Sequence, residues 1–247
     1  MSVHARLDSS PALRYRIAFK PYMLEQQKIF WGLLCRRQCL VPTLRGCFLA
    51  ALSVTALALI GICEICPFLT VSHPVPGGVL VVEGWTPDYV MKAAVAEFKQ
   101  HHYAKLFVTG LPVAQGTLLV GYTNHAYVGA ATLLKLGLTT NDVQAVPTHK
   151  IQRDRTYNMA LSLKKWLCEH DQSPSKVNLI TAGPHSRRSR LLFEKAMGKG
   201  VVVGTLAIPD NEYDERRWWK TSEGVRTVIG EALAYGYARV FFHPPEE

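Results

Sequence analysis

The hydrophobic pattern of this 247-residue chain changes character at about residue 75. Before that point it holds one long apolar run, Gly46 to Cys63, GCFLAALSVTALALIGIC, eighteen residues without a formal charge. As a helix rising about 1.5 Å per residue this run covers roughly 27 Å, nearly the depth of a bilayer's hydrocarbon layer. Glu64 interrupts it and ICPFLTV carries it on to Val71, which predicts a span over 46–66 with the carboxylate at headgroup level, Pro67 as the stop and 67–77 as a linker. A buried core helix would lack the flanks found here: Arg36, Arg37 and Arg45 before the run, and the polar, Pro-rich SHPVPGG after it. The run starts too far into the chain, and is too long, for the apolar region of a cleaved signal peptide.

After the boundary, short apolar runs alternate with segments of helical periodicity. Val79–Val82, Leu106–Val108, Val143–Val146, Val177–Thr181 and Val201–Leu206 read as strands covered on both faces, because they are continuously apolar. Thr86-Pro87 reads as a cap and first position of a helix whose apolar face is Val90, Met91, Ala94, Val95 and Phe98. A second helix is predicted from Asn124 to Leu136, stopping at Gly137; a third starts near Asp154 and buries Met159, Leu163, Trp166 and Leu167. A fourth starts at Pro184 and ends before Gly198. The last, from Ser222, places Val225, Val228, Ile229, Ala232, Leu233, Gly236 and Val240 on one stripe. Five strand-helix alternations specify an α/β domain over 78–247: a doubly wound, mostly parallel five-stranded sheet with helices on both faces.

Composition narrows the class. A chain 48% hydrophobic and 19% charged is neither disordered nor collagenous. The net charge of +9 is lopsided: residues 1–45 carry eight Lys or Arg against Asp8 and Glu25, and the other 202 carry twenty against seventeen. No basic stripe is left on the domain, so nucleic acid is not an expected partner. By the positive-inside rule the arm stays cytoplasmic against anionic lipid, and the chain after about residue 72 lies on the far side of the plasma (inner) membrane. Five of the six cysteines fall in the first 66 residues, which excludes a disulfide scaffold for the domain. Cys63-x-x-Cys66 has no second CxxC or adjacent His and reads as small apolar residues at a helix end rather than a redox or zinc motif; Cys168 reads as a packed thiol.

In such a sheet ligands bind beyond the carboxyl ends of the strands. The residues there are Glu83-Gly84-Trp85; Thr109-Gly110; Arg153-Asp154-Arg155-Thr156; Thr181 to Arg188; and Asp210 to Trp219. The fourth group is the most informative. Gly183-Pro184 opens a helix whose free backbone N–H groups and positive end, joined by His185, Arg187, Arg188 and Arg190, suit a phosphate or carboxylate. Alternatively these arginines form a solvated face or pair with Glu83, Asp154 and Asp210. Glu83, at a buried strand end, needs a partner or a function. Trp218 and Trp219, beside Arg216 and Arg217, suit stacking on a sugar, base or lipid headgroup, or cover for the sheet edge. No Gly-x-Ser-x-Gly elbow, metal-ligand set, GxGxxG or Walker loop is present, and His101-His102 reads as surface.

Val81-Val82-Glu83-Gly84-Trp85, Arg155-Thr156-Tyr157 and Thr181-x-x-Pro-His185-x-x-Arg188, in this order behind one membrane helix, resemble the YdcF-like proteins of the SanA and ElyC group. The resemblance covers residues 78–242. It implies a Rossmann-like domain, often held outside the cytoplasmic membrane, linked to cell-envelope integrity and to peptidoglycan or lipid-carrier metabolism; matched by motif are Thr156, His185 and Arg188. The chain departs from that pattern after the first strand (Glu83-Gly84-Trp85), after the second (Thr109-Gly110-Leu111), around Asn124-His125-Ala126 and at Met159.

Together these readings lead to an expected membrane-anchored envelope protein whose outer domain binds an anionic, phosphorylated or sugar-bearing small molecule or lipid-linked sugar. Arg155, Arg188 and the Pro184 helix start would hold the anion, His185 would donate or accept a proton and Glu83 would orient it. Trp85, Thr109, Gly110, Thr156, Gly183, Asp210, Arg217 and Trp218 would complete the binding set. No cofactor or metal is specified. The alternative is a non-catalytic envelope scaffold. Replacing His185 or Arg188 by Ala is expected to spare stability.

Overall fold

The structure is a computed structural model that describes residues 28–29, 34–35, 43–114 and 121–244; most of the basic arm expected over 1–45 lies outside the described residues. Contacts divide the chain into two units, Met1–Ala51 and Leu52–Glu247, and the second carries the α/β domain. A short antiparallel pairing of Lys28–Ile29 with Leu34–Cys35 belongs to the first.

Helix α1, Leu44–Leu69, is long and apolar enough to cross a membrane, and none of its most apolar window is buried within the protein. Pro67 does not stop it. The proline sits in the last turn, where it removes one bond, to the Cys63 carbonyl, and the turn still closes with Thr70 N–H donating to the Cys66 carbonyl. The stretch expected as a linker is tied down: His73 bridges Thr205, and the buried Asn178 side chain accepts from Val75 N–H and donates to the carbonyls of Val75 and Gly77.

Five parallel strands follow: β1 (Val79–Glu83), β2 (Leu106–Gly110), β3 (Val143–Pro147), β4 (Lys176–Ala182) and β5 (Val202–Ile208), in the order β3-β2-β1-β4-β5. The expected doubly wound sheet is therefore present, all parallel among its described strands, and each strand starts and ends within two residues of the apolar run that signalled it. Alternate residues fill opposite cores. Val79, Val81, Phe107, Val177 and Leu179 pack under α4 (Arg155–Glu169) and α5 (His185–Met197). Leu80, Val82, Leu106, Val108 and Ile180 pack under α2 (Asp88–Gln100) and α3 (His125–Lys135). Each such side chain contributes roughly 1.5–3 kcal/mol by burial. α6 (Ser222–Val240) closes the first face at its Ala238 end, preceded by a 3-10 turn at Glu215–Lys220.

Three local expectations change. Thr86 does not cap α2; its hydroxyl donates to the Glu83 carbonyl at 2.7 Å, and Pro87 holds the cap position without a side-chain bond. Cys168 is exposed rather than packed. In α6 the buried positions are Gly224, Val228 and Ala238, whereas Ile229, Leu233 and Val240 of the expected stripe face outward.

The chain order makes β1 and β4 neighbours while their successors diverge to opposite edges, which opens a crevice at their carboxyl ends. Gly84 and Gly110 let α3 start close above β1 and β2: a Cβ at Gly110 would sit 2.2 Å from the Ala126 nitrogen. Gly110→Ala should therefore cost about 1–3 kcal/mol, read as a lower denaturation midpoint of the detergent-solubilised protein.

Candidate functional site

The crevice between β1 and β4 is organised around a buried carboxylate. Glu83 ends β1 with no exposed surface. On Oε2 it accepts the Thr181 hydroxyl of β4 at 2.9 Å and, more weakly, the Ser189 hydroxyl of α5 at 3.5 Å. His185, first residue of α5, brings Nε2 to 3.3 Å from the same oxygen, an ion-pair rather than a hydrogen-bond geometry. Its other nitrogen, Nδ1, donates to Glu231 Oε1 at 2.8 Å. Arg188, one turn along α5, donates to both oxygens of Glu231, from Nε to Oε2 at 2.7 Å and from Nη2 to Oε1 at 3.0 Å, and reaches Thr156 Oγ1 at 3.5 Å.

Glu83, His185, Arg188 and Glu231 thus form a closed network of two carboxylates and two cations. Burial by itself pushes the Glu83 carboxyl up, but the adjacent His185, the Thr181 hydrogen bond and the Arg188 charge outweigh it and hold it below the usual carboxylate range. For His185, burial opposes the charged form and Arg188 repels it, yet Glu83 and Glu231 raise it to about 9. Glu231 is lowered to about 2: burial works against the charge, and hydrogen bonds and attraction from His185 and Arg188 overcome that. The two carboxylates favour the charged imidazole against the repulsion of Arg188, whose Nη2 lies 2.9 Å from Nδ1.

The network floors a cleft of about 600 Å³. Trp85 stands over it, its ring edge-on to His185 with centroids 4.9 Å apart. The turn Glu83 to Thr86 aims the tryptophan, closed by Thr86 N–H and Oγ1 donating to the Glu83 carbonyl. Arg155 and Thr156 form one wall at the start of α4, where Asp154 adopts left-handed backbone angles (φ 49°) and Asn158 Nδ2 holds its carbonyl at 3.0 Å. Such a conformation costs of order 1–3 kcal/mol and is kept only where the surroundings over-determine it. Met159, Leu192, Tyr237 and Phe242 give the cleft an apolar side. Arg155 has no ion-pair partner among the described residues, so it is the rim's uncommitted cation.

Of the residues read from sequence, Glu83, Trp85, Thr156, His185 and Arg188 come together here, with Arg155 at the rim. Others go elsewhere. Thr109 is buried inside the sheet, and Gly110 is occupied by the approach of α3. Gly183 packs against Glu215, where a Cβ would meet Oε1 at 2.7 Å. Asp210 faces a separate cleft of about 330 Å³ on the other side of Trp85 and His185. Arg217 is exposed and lines neither cleft. Trp218 does not stack on a ligand: it is buried against Cys66, Leu69 and Val228, and its Nε1 donates to the Ile62 carbonyl at 3.0 Å. The cations of the α5 start also disperse, since Arg187 lies over the Phe68 ring and donates to that residue's carbonyl, and Arg190 pairs with Glu194. Ser186 serves the chain path, accepting from Val71 N–H at 2.7 Å and donating to the Leu69 carbonyl.

Sequence reasoning missed Glu231. The available signal was a carboxylate set three residues after Val228 and seven before Ala238, hence on the buried face of a helix, where a charge needs a partner. The network also overturns the expectation that Arg188 and His185 can be truncated freely: removing one member of a buried ion pair strands another charge, at about 3–5 kcal/mol.

Compared with protein-family models, curated proteins and solved structures, the chain matches none.

The network sets the pH dependence of stability. His185 binds a proton in the folded state that it would shed near 6.5 when unfolded, so its contribution is complete below about 6.5 and is lost as pH rises through about 9. Glu231 contributes above its ordinary 4.5 and loses that contribution as pH falls toward 2. Stability should thus be greatest between these limits. Glu231→Gln should move the alkaline fall, and the His185 titration followed by NMR of the imidazole carbons, to lower pH; an unchanged His185 titration would contradict the geometry.

Proposed function

We propose that the domain binds an anionic small molecule, phosphorylated or sugar-bearing, in the cleft at the β1/β4 crevice, and that α1 anchors this site in a membrane. The observation that carries the reading is a concave site in which His185 is fixed between Glu83 and Glu231, beside the exposed Arg155, which has no ion-pair partner among the described residues. The anion lies against Arg155 and the Thr156 hydroxyl, where charge-assisted hydrogen bonds are worth most, in front of the His185 ring. Trp85 and the wall formed by Met159, Leu192 and Tyr237 take the non-ionic part, as in ligand sites that combine an apolar lining with a few placed polar groups. Arg188 does not spend its charge on the ligand; bonded twice to Glu231, it positions the histidine. Both nitrogens of His185 face carboxylates, Nδ1 toward Glu231 and Nε2 toward Glu83, so the imidazole contributes its charge to the cleft and not a free N–H.

A cleft with convergent polar groups favours this reading over a flat scaffold surface. The membrane arrangement rests on α1 and on the excess of Lys and Arg before it, which favours a cytoplasmic arm and an extracytoplasmic domain. The order of strand-end motifs shared with YdcF-like proteins points the same way, toward a role in envelope, peptidoglycan or lipid-carrier metabolism.

Arg155 provides the clean test because it is exposed and outside the buried network. Full-length protein extracted from membranes should carry a phosphorylated or sugar-linked species by mass spectrometry, and Arg155→Ala should reduce its occupancy by about tenfold or more, the worth of one charge-assisted bond. The denaturation midpoint should stay within about 0.5 kcal/mol of wild type. Empty protein in both forms would sink the reading.

A further inference from the structure

The sequence run Arg216-Arg217-Trp218-Trp219-Lys220 and the α6 face of Val225, Val228, Ala232 and Tyr235 have no part in the cleft. Both lie against the end of α1. Trp218 binds the Ile62 carbonyl, and Val225, Val228, Ala232 and Tyr235 pack with Trp218 around Cys66 and Leu69. Phe68 meets the Tyr235 ring edge-on at 5.7 Å. Beside this seam, α6 turns out a second apolar stripe at helical spacing, covered by no other element among the described residues: Ile229, Leu233, Val240 and Phe241. Leu233 is 72% and Phe241 71% exposed, which is unusual for large apolar side chains in a continuous patch on a water-soluble surface.

Depth along α1 says what covers the stripe. The helix has 26 residues, about 39 Å, whereas a hydrocarbon layer of about 30 Å takes about 20. The uncharged run ends at Cys63 and the exposed Glu64 follows, so the last turn and a half belongs to the headgroup region. Those turns are the ones that carry Trp218, Tyr235 and Val228. The surface next to them therefore stands at the level where tryptophan, tyrosine and snorkelling basic side chains concentrate. Trp219 is partly exposed there, between exposed Arg216, Arg217 and Lys220.

We propose that this surface, the basic tryptophan turn together with the outward stripe of α6, docks on the anionic headgroups of the bilayer that α1 spans. The apolar side chains enter the interface while Arg216, Arg217 and Lys220 meet lipid phosphates. Because Glu231 lies on the same helix as the stripe, docking also fixes the His185 site at a set height above the lipid. The inference rests on α1 being a membrane span.

The test uses the full chain in nanodiscs containing one third phosphatidylglycerol, with cysteines other than the buried Cys66 replaced by Ser. A nitroxide is attached in turn at Leu233→Cys, at Leu57→Cys in α1, and at Lys92→Cys on the opposite face of the sheet. Relaxation by oxygen, which concentrates in lipid, is compared with relaxation by a water-soluble nickel chelate. The expected result is a lipid-like ratio at 57 and 233 and a water-like ratio at 92. Replacing Arg216, Arg217 and Lys220 together by Gln, or omitting the anionic lipid, should shift position 233 toward water and leave 57 unchanged. A lipid-like 57 with a water-like 233 overturns the docking surface alone, whereas a water-like 57 overturns the span and the docking with it. Dipolar broadening between labels at 233, from a second copy seated on the stripe, also overturns it.

Discussion

Everything at the site follows from one carboxylate buried without exposed surface at the end of the central strand. A charge there has no water to stabilise it, so the fold must bring a counter-charge and donors to it. The strand order supplies them. Because β4 lies directly beside β1, Thr181 and the first residue of α5 arrive at Glu83 from the neighbouring strand, although they are about a hundred residues away in sequence. The histidine charged by this contact requires its own acceptor on the other nitrogen, and Glu231 from the last helix provides it. Arg188 then compensates Glu231. Each group is explained by the one before it.

This arrangement separates holding from presenting. Arg188 and Glu231 are satisfied by each other and keep the imidazole oriented, so the ligand-facing contacts fall to Arg155, Thr156 and Trp85, with the ring of His185 behind them. It also means that the site and the stability of the domain are coupled through the same four charges. The same helix that carries Glu231 packs its other side on the end of α1, so the site and the membrane-capable helix share one rigid element rather than being joined by a loose tether.

Local chemistry accounts for where expectation and structure part. Thr86 and Pro87 match a helix-start pattern, but the hydroxyl gains more from the Glu83 carbonyl, a bond that fixes the Trp85 turn. Pro67 matches a stop signal, yet it removes only its own N–H bond to the Cys63 carbonyl, and the turn still closes with Thr70 N–H on the Cys66 carbonyl. Trp218 beside two arginines looks like a stacking platform; its indole N–H instead satisfies a carbonyl of α1, a partner 156 residues earlier in the chain. The stripe read on α6 combined two faces, because a helix that packs on one side and is apolar on another gives no single period to read.

The amino-acid sequence alone determined the membrane-capable helix, the number and order of the strands and the strand ends where charge collects. These depend on runs and periods of neighbouring residues, and burial on both faces of a parallel sheet leaves a continuous apolar signature. Glu83 and His185 were legible for the same reason, as polar residues at the ends of apolar strands. What tertiary structure decided was pairing: which cation answers Glu83, that Glu231 rather than Asp154 or Asp210 takes Arg188, and that Trp218 serves α1. Such choices depend on distances across elements far apart in the chain, and no spacing along the sequence encodes which of several like charges will be the nearest.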